Sequence, residues 1–327
     1  QLSKPRWETQ TLVPSRRAFL VTSTVLVLGA AAAVTVAEWA VRTSARISSI
    51  LLPKPARPLP ELPPGLETEH TGISKFRTPI KDFYRVDTKL ALPLVDEREW
   101  RLNIDGLVER PLSFSYADLL AMPLEEHDIT LTCVSNEVGG NLVGAARWLG
   151  VPVAGLLARA GVKADADQVL SADVDGFTIS TPLPALLDGR NALIAVGMNG
   201  ETLPRANGFP ARLVVPGLYG FVGATKWITR MTLTTYAKKS AYWPKRGWVT
   251  DAPIQISSRI DTPKPLSKIP SGRHAIGGVA WAQHVGIERV EVRIDGGPWL
   301  PAILGPDAGI DYWRQWYLLW DATKGRH

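Results

Sequence analysis

The apolar positions of this chain change texture several times along its length. Residues 18–37 read AFLVTSTVLVLGAAAAVTVA, twenty in a row without a charge. At about 1.5 Å of rise per residue this is about 30 Å of helix, one bilayer core, and predicts a membrane-spanning helix over 18–37. Residues 53–65, PKPARPLPELPPG, hold six prolines and predict an extended polyproline spacer that lifts the body of the protein off the membrane. From Glu67 onward short patterns alternate. Period-two apolar spacing predicts strands at 100–104 and 129–132, and helical spacing predicts short helices at 116–120 and 153–157. Gly208 and Gly220 punctuate a further apolar run over 211–221.

Beyond Pro253 the pattern becomes all-β. Residues 274–281 and 289–294 alternate, Asp295-Gly296-Gly297 supplies hairpin turn chemistry, and 312–320 reads as an aromatic-rich third strand. An immunoglobulin-like β-sandwich is the natural expectation, but such a sandwich takes about 100 residues where this stretch has about 75, so it reads as truncated. Trp281, Trp299, Trp313, Trp316 and Trp320 crowd this region, at spacings that suit sandwich core or an interface. The division is therefore 1–52 for a basic segment and membrane helix, 53–66 for a Pro-rich linker, 67–251 for a mixed α/β domain and 252–327 for the β-domain.

Charge sharpens the N-terminal end. The chain of 327 residues carries a formal net charge of +6, and residues 1–60 contain eight basic and two acidic residues, which is the whole excess. The remaining residues hold 29 of each sign, which removes the nucleic-acid reading that a basic chain invites. Arg16 and Arg17 stand directly before the apolar run. They place the N-terminus in the cytoplasm and the body on the extracytoplasmic side of the cell's inner membrane. Ser15-Arg16-Arg17-Ala18-Phe19-Leu20 also resembles a twin-arginine export signal. No Walker loop, G-x-G-x-x-G or H-E-x-x-H motif is present, and one cysteine excludes a disulfide framework and a C-x-x-C-H haem site.

That cysteine, Cys133, comes after a strand-like run and precedes a loop containing Gly139 and Gly140. A strand end before such a loop can present a side chain to a ligand. As a thiolate it would be a nucleophile or a soft-metal ligand, and the plain alternative is a buried structural cysteine. Its surroundings point further. Residues 132–150, TCVSNEVGGNLVGAARWLG, together with Gly197-Met198-Asn199-Gly200, the stretch NGFPARLVVPG over 207–217, and Ala224-Thr225-Lys226-Trp227, resemble in order the molybdopterin domain of the sulfite oxidase family. The similarity runs from about Phe76 to the C-terminus.

The resemblance implies an α+β (mixed α/β) sulfite-oxidase-type molybdopterin domain followed by an immunoglobulin-like domain, with a molybdenum–molybdopterin cofactor of unspecified pterin form. By the same carry-over, Cys133 would ligate molybdenum through its sulfur. Asn207 and Arg212 would bind the pterin or its phosphate, and the turn Gly223, Ala224, Thr225 and Lys226 would match the phosphate-end loop. Tyr84 falls in the stretch that touches pterin and substrate, and Arg85 falls where sulfite oxidases place an anion-binding arginine.

Three departures qualify the match. Where sulfite oxidases carry a tyrosine before Met-Asn-Gly and an arginine five residues after the cysteine, this chain has Val196 and Val138. Where the related methionine-sulfoxide reductases carry an asparagine, it has Lys81. The expectation is a membrane-anchored bacterial branch: an oxidoreductase moving an oxygen atom at molybdenum, on a small-molecule substrate other than sulfite. A membrane cytochrome or quinone-linked protein would carry its electrons. A methionine-sulfoxide-reductase-like enzyme and a non-catalytic docking subunit are the alternatives, and a homodimer through the β-domain is the oligomeric expectation.

Overall fold

In the computed structural model the described residues are 50–327, preceded by the single positions Val21, Val25, Gly29 and Ile47. The membrane helix expected over 18–37 and the basic segment around it lie, apart from those positions, outside the described residues. Among the described residues no helix is long and apolar enough to cross a membrane.

Strands β1 (Arg101–Gly106) and β2 (Leu112–Ser115) form a hairpin, and helix α1 (Tyr116–Leu120) comes directly after it. The helix starts where its pattern predicts because Ser115 caps it. The Ser115 hydroxyl accepts the Asp118 N–H at 3.0 Å, and the Asp118 carboxylate accepts the Ser115 N–H at 2.7 Å. Strands β3 (Glu125–Thr132) and β4 (Val143–Pro152) pair antiparallel and lead into α2 (Val153–Ala160). A second hairpin, β5 (Gln168–Asp173) and β6 (Thr178–Pro182), is followed by the single turn α3 (Pro184–Leu187). Strands β7 (Leu193–Met198), β8 (Glu201–Thr202) and β9 (Arg212–Val214), the turn α4 (Gly220–Gly223) and strand β10 (Ile228–Thr234) complete this part. One sheet has the order β2-β1-β10-β5-β6, with β1 and β10 parallel; a second runs β3-β4-β7-β8 with β9 paired to β7.

The C-terminal stretch is all strand, as its alternation predicts. It comprises β11 (Ser257–Thr262), β12 (Gly272–Trp281), β13 (Glu291–Arg293), β14 (Trp299–Pro301), β15 (Ile303–Leu304) and β16 (Arg314–Ala322). A sheet of order β11-β12-β16-β15 forms, and β13 and β14 make a separate hairpin. That hairpin turns through Asp295 and Gly296, both at positive φ, the conformation its turn chemistry calls for. Trp281, Trp313 and Trp316 are buried core side chains, while Trp299 is more than half exposed.

Strand β3 is an edge strand of its sheet, and its backbone is covered by the C-terminal part. The Thr130 N–H donates to the Asp311 carbonyl at 2.9 Å, and the Thr130 hydroxyl accepts the Trp313 N–H at 2.8 Å. The Gln283 side-chain amide donates to the Thr130 carbonyl and the Thr132 hydroxyl, at 3.0 and 2.9 Å. The end of β3, just before Cys133, is thus fixed by residues 151 to 183 positions away.

The Pro-rich stretch departs from the expected spacer. It is extended, but it lies along the body. The Ala56 N–H donates to the Leu124 carbonyl at 2.7 Å, the Leu59 N–H to Glu126 Oε2 at 3.0 Å, and the Leu66 N–H to Gln315 Oε1 at 2.8 Å. Arg147, buried and held by Asp128 at 2.7 and 3.0 Å, donates to the Pro60 carbonyl at 2.8 Å. An extended proline-rich backbone pairs with nothing inside itself, so its N–H groups are left to donate to the body and its Pro60 carbonyl to accept from Arg147.

Candidate active site

Five segments converge on a cavity of about 230 Å³. They are the loop before β1 (Phe83, Tyr84, Asp87, Lys89), the end of β3 (Cys133, Val134, Ser135), the β5–β6 hairpin (Asp173, Phe177, Ile179), the 206–227 stretch, and the loop after β10 (Trp243, Trp248). Cys133 is nine-tenths buried and sits one residue past β3. Its N–H donates to the Leu142 carbonyl at 2.9 Å and its carbonyl accepts from Asn136 at 3.0 Å, so a tight turn presents the thiol to the cavity.

Phe83 seats against β4 where Gly144 leaves room; a Cβ on that glycine would come within 2.8 Å of the phenyl ring. The ring meets Trp148 edge-on at 5.7 Å and stacks on Tyr84 at 5.3 Å, bringing Tyr84 to the cavity wall. Burial pushes the Tyr84 hydroxyl's pKa well up, with Arg212 opposing and Cys133 adding to the shift, so the phenol keeps its proton.

On the opposite strands the 3-10 turn Arg205–Asn207 and Gly208 feed into β9. Gly208 has φ +113°, and a Cβ there would lie 3.0 Å from Arg212 Cβ and 3.2 Å from Lys226 Cα. Only glycine lets these two chains approach so closely. Arg212 is 6% exposed. Its Nη1 donates to the Asn207 carbonyl at 3.1 Å and its guanidinium lies 5.1 Å from the Trp148 ring centre, yet its Nε is buried without a hydrogen-bond partner. Burial lowers its pKa to about 10.

Lys226 donates to Asp87 Oδ2 at 2.6 Å and to the Ala206 carbonyl at 3.2 Å. Burial lowers its pKa to about 8, the Asp87 hydrogen bond working against burial and the Arg212 charge with it. Burial alone would raise Asp87, but hydrogen bonds from Arg85 and Lys226 hold its carboxyl well below the usual range. Lys89 is clamped by Asp173 at 2.8 Å and Asp175 at 2.7 Å. The cavity wall therefore holds three cations against two carboxylates, and Arg212 is the cation with no carboxylate of its own.

The structure thus brings Tyr84, Cys133, Asn207, Arg212, Ala224, Thr225 and Lys226 together around one cavity. Gly223 stands behind it as a packing residue, with no room for a Cβ beyond 3.1 Å of Leu218. Arg85 corrects the sequence expectation: it is not on the wall but turned outward, forked onto Asp87 at 2.8 and 3.2 Å. A carboxylate two residues away is an always-available partner for an exposed guanidinium. Val196 and Val138, which stand where the resemblance puts a tyrosine and an arginine, do not line the cavity: Val196 is fully buried within β7 and Val138 fully exposed on a loop. Sequence reasoning missed Asp87, Lys89 and Asp173, and the aromatic wall of Phe177, Phe221, Trp243 and Trp248. The wall's only trace in the sequence is the density of rings at 242–248.

The orphaned Arg212 Nε, in the same cavity as a near-buried thiol, fits a cofactor that brings an anionic group and a metal. Among the described residues no three His, Cys, Asp or Glu side chains converge on a metal site, so a metal bound through Cys133 draws its other donors from the cofactor. Residues 89–243 match the family of the oxidoreductase molybdopterin binding domain. Over that stretch the chain is similar to a molybdopterin-binding domain, a group that the near-buried thiol and the unpartnered Arg212 Nε suit.

Its relatives narrow the class. Chicken sulfite oxidase is 29% identical over 76% of this chain and 63% of that protein, and mouse mitochondrial sulfite oxidase is 30% identical over 79% and 54%. Tomato NADH nitrate reductase is 27% identical over 78% and 34%. Among solved structures, the sulfane dehydrogenase SoxCD from Paracoccus pantotrophus matches with a TM-score of 0.66 and 28% identity, covering 75% of this chain and 69% of that one. The body has the sulfite-oxidase-type molybdenum domain fold, rich in sheet with few helices. The chain spans less than two thirds of the curated relatives it matches.

Proposed function

We propose that this protein is a membrane-tethered oxidoreductase that transfers an oxygen atom between a small-molecule substrate and molybdenum, with a substrate other than sulfite. The observation that carries this is the buried, carboxylate-free Arg212 in the cavity that also holds Cys133. Cys133 would hold the metal through its sulfur, while Asn207, Arg212, Thr225 and Lys226 hold the pterin and its phosphate. The bound group supplies two-electron redox chemistry and the site of oxygen transfer. The protein's residues supply the rest. Tyr84, its proton retained, offers a hydroxyl donor to a substrate oxygen, and the aromatic wall excludes water. Arg85, forked onto Asp87, helps hold the carboxylate that positions Lys226.

In this proposal the body lies on the extracytoplasmic side of the inner membrane, anchored in lipid through the 18–37 helix after twin-arginine export. A membrane cytochrome or quinone-linked protein serves as electron partner. The C-terminal sheets are read as an immunoglobulin-like domain, and the more than half-exposed Trp299 and Ile303 suit a homodimer face there. Metal analysis of protein made in a cofactor-competent host tests the core of this reading: about one molybdenum per chain is expected, and Cys133→Ser should abolish turnover while the fold persists. Protein without molybdenum would overturn it in favour of a docking subunit.

A further inference from the structure

The loop after β10 carries charge that nothing in the body answers. Residues 235–250, TYAKKSAYWPKRGWVT, hold Lys238, Lys239, Lys245 and Arg246 and no carboxylate, and the adjoining Asp251 still leaves the segment at +3. All four cations are exposed, and among the described residues none of them is in an ion pair. Charges of one sign gathered this closely repel one another, so the cluster is a cost to the isolated body that an anionic partner relieves.

The same turn uncovers apolar surface, with Trp248 38% and Val249 61% exposed. It is ordered rather than loose. Gln168 Nε2 donates to the Lys239 carbonyl at 2.7 Å, the Tyr242 N–H to the Thr178 hydroxyl at 3.1 Å, and the Trp248 N–H to the Trp243 carbonyl at 3.2 Å. The Arg246 guanidinium rests on the Tyr242 ring at 3.5 Å. Neither Val249 nor any of the four cations lines the cavity that holds Cys133, so this surface lies outside the space given to the cofactor.

Cations set around an exposed indole and a valine match an anionic lipid surface. Phosphates meet the charges, and the ring sits at headgroup level, where tryptophan concentrates. The proposed tether brings such a surface within reach. In that reading only residues 38–49 join the apolar run to Ile50, and twelve residues span at most about 40 Å. The stretch beyond them is fastened to the body and adds no length. A soluble acidic protein would have to arrive by diffusion, whereas a tethered body meets lipid at high effective concentration.

We infer that the 238–249 turn is a second, electrostatic membrane contact that seats the body on an anionic phospholipid surface. Trp243 and Trp248, which also line the cavity, then bring its mouth next to the lipid. The inference rests on the membrane-tethered reading and adds to it the face of the body that meets the bilayer.

The test uses the molybdenum-loaded full chain in nanodiscs of phosphatidylcholine, with or without phosphatidylglycerol. Trace acetylation read by mass spectrometry reports each lysine separately. Lys238, Lys239 and Lys245 are expected to react at least about fivefold more slowly when phosphatidylglycerol is present, at about 0.1 M salt, and to regain their rate at about 1 M. Arg246→Gln with Val249→Asp keeps all three reporters and should lose the protection, with molybdenum content and melting temperature at wild-type values. Equal rates in the two disc types would overturn the inference. So would equal slowing of the exposed Lys163 and Lys324, which would be a general effect on the reagent. Poly-glutamate supplies charge without a lipid interface, and equal protection by it on phosphatidylcholine discs would reassign the turn to an acidic protein. A chain that enters neither disc type would instead bring down the tethered reading, and this inference with it.

Discussion

The ammonium of Lys226 lies 2.6 Å from Oδ2 of Asp87, and the buried guanidinium of Arg212 presses on the same ammonium by charge alone. Burial and that neighbour bring Lys226 from an ordinary 10.5 to about 8, so its charge is lost on the alkaline side of 8. Sulfate, which does not titrate here, should bind the cofactor-free protein about tenfold more weakly at pH 9 than at pH 7, a difference of about 1.4 kcal/mol. Lys226→Met should bind it weakly and without that slope. The unfolded chain holds the same proton up to about 10.5, so this group makes folding more favourable as pH rises from 8 towards 10.5. Anion affinity and this contribution to stability therefore move in opposite directions, which calorimetric titration and urea melts across pH would separate.

Arg212→Met should make the cofactor-free protein more stable. The guanidinium is buried with one carbonyl acceptor and no carboxylate, and relieving such a charge returns about 1–3 kcal/mol. The same variant should lose cofactor, read as molybdenum per chain. A fall in the melting temperature of the cofactor-free variant would show that the Trp148 contact and the Asn207 hydrogen bond outweigh the desolvation of the charge.

Gly208→Ala attacks the site through the backbone. The added Cβ at φ +113° meets Arg212 Cβ and Lys226 Cα, and strain of this kind costs about 1–3 kcal/mol. Denaturant midpoints would register the loss, and molybdenum content should drop with it because two cofactor-holding side chains are displaced together.

Arg147→Ala should be among the costliest single changes in the body. It strands the buried Asp128 carboxylate, for which about 3–5 kcal/mol is the usual penalty, and removes the donor to the Pro60 carbonyl. Limited proteolysis should then cut within 53–66, where the wild type resists. Equal resistance in both proteins would mean that Ala56, Leu59 and Leu66 suffice to hold the stretch.

What could be read from the sequence was what local chemistry specifies. The helical spacing at 116–120 predicts α1, the Asp295-Gly296 turn makes the β13–β14 hairpin, and the position of Cys133 past a strand predicts its presentation to a cavity. Arg212 and Lys226 were found because the surrounding motif is long. Arg85 was misplaced because nothing in residue type says whether a guanidinium faces a ligand or a neighbour, and Asp87 decides it. Trp243 and Trp248 went unassigned since an irregular loop has no period to read. Val196 and Val138 stand where the resemblance puts a tyrosine and an arginine, and neither side chain reaches the cavity.

The docked Pro-rich stretch has a mechanical consequence. With Ala56, Leu59, Pro60 and Leu66 each fastened to the body, and the Ile50 carbonyl accepting from the Thr202 hydroxyl at 3.0 Å, this length of chain offers no slack. A pull on the polypeptide ahead of residue 50 would be felt as shear on β8 and on the start of β3, the strand that leads into Cys133.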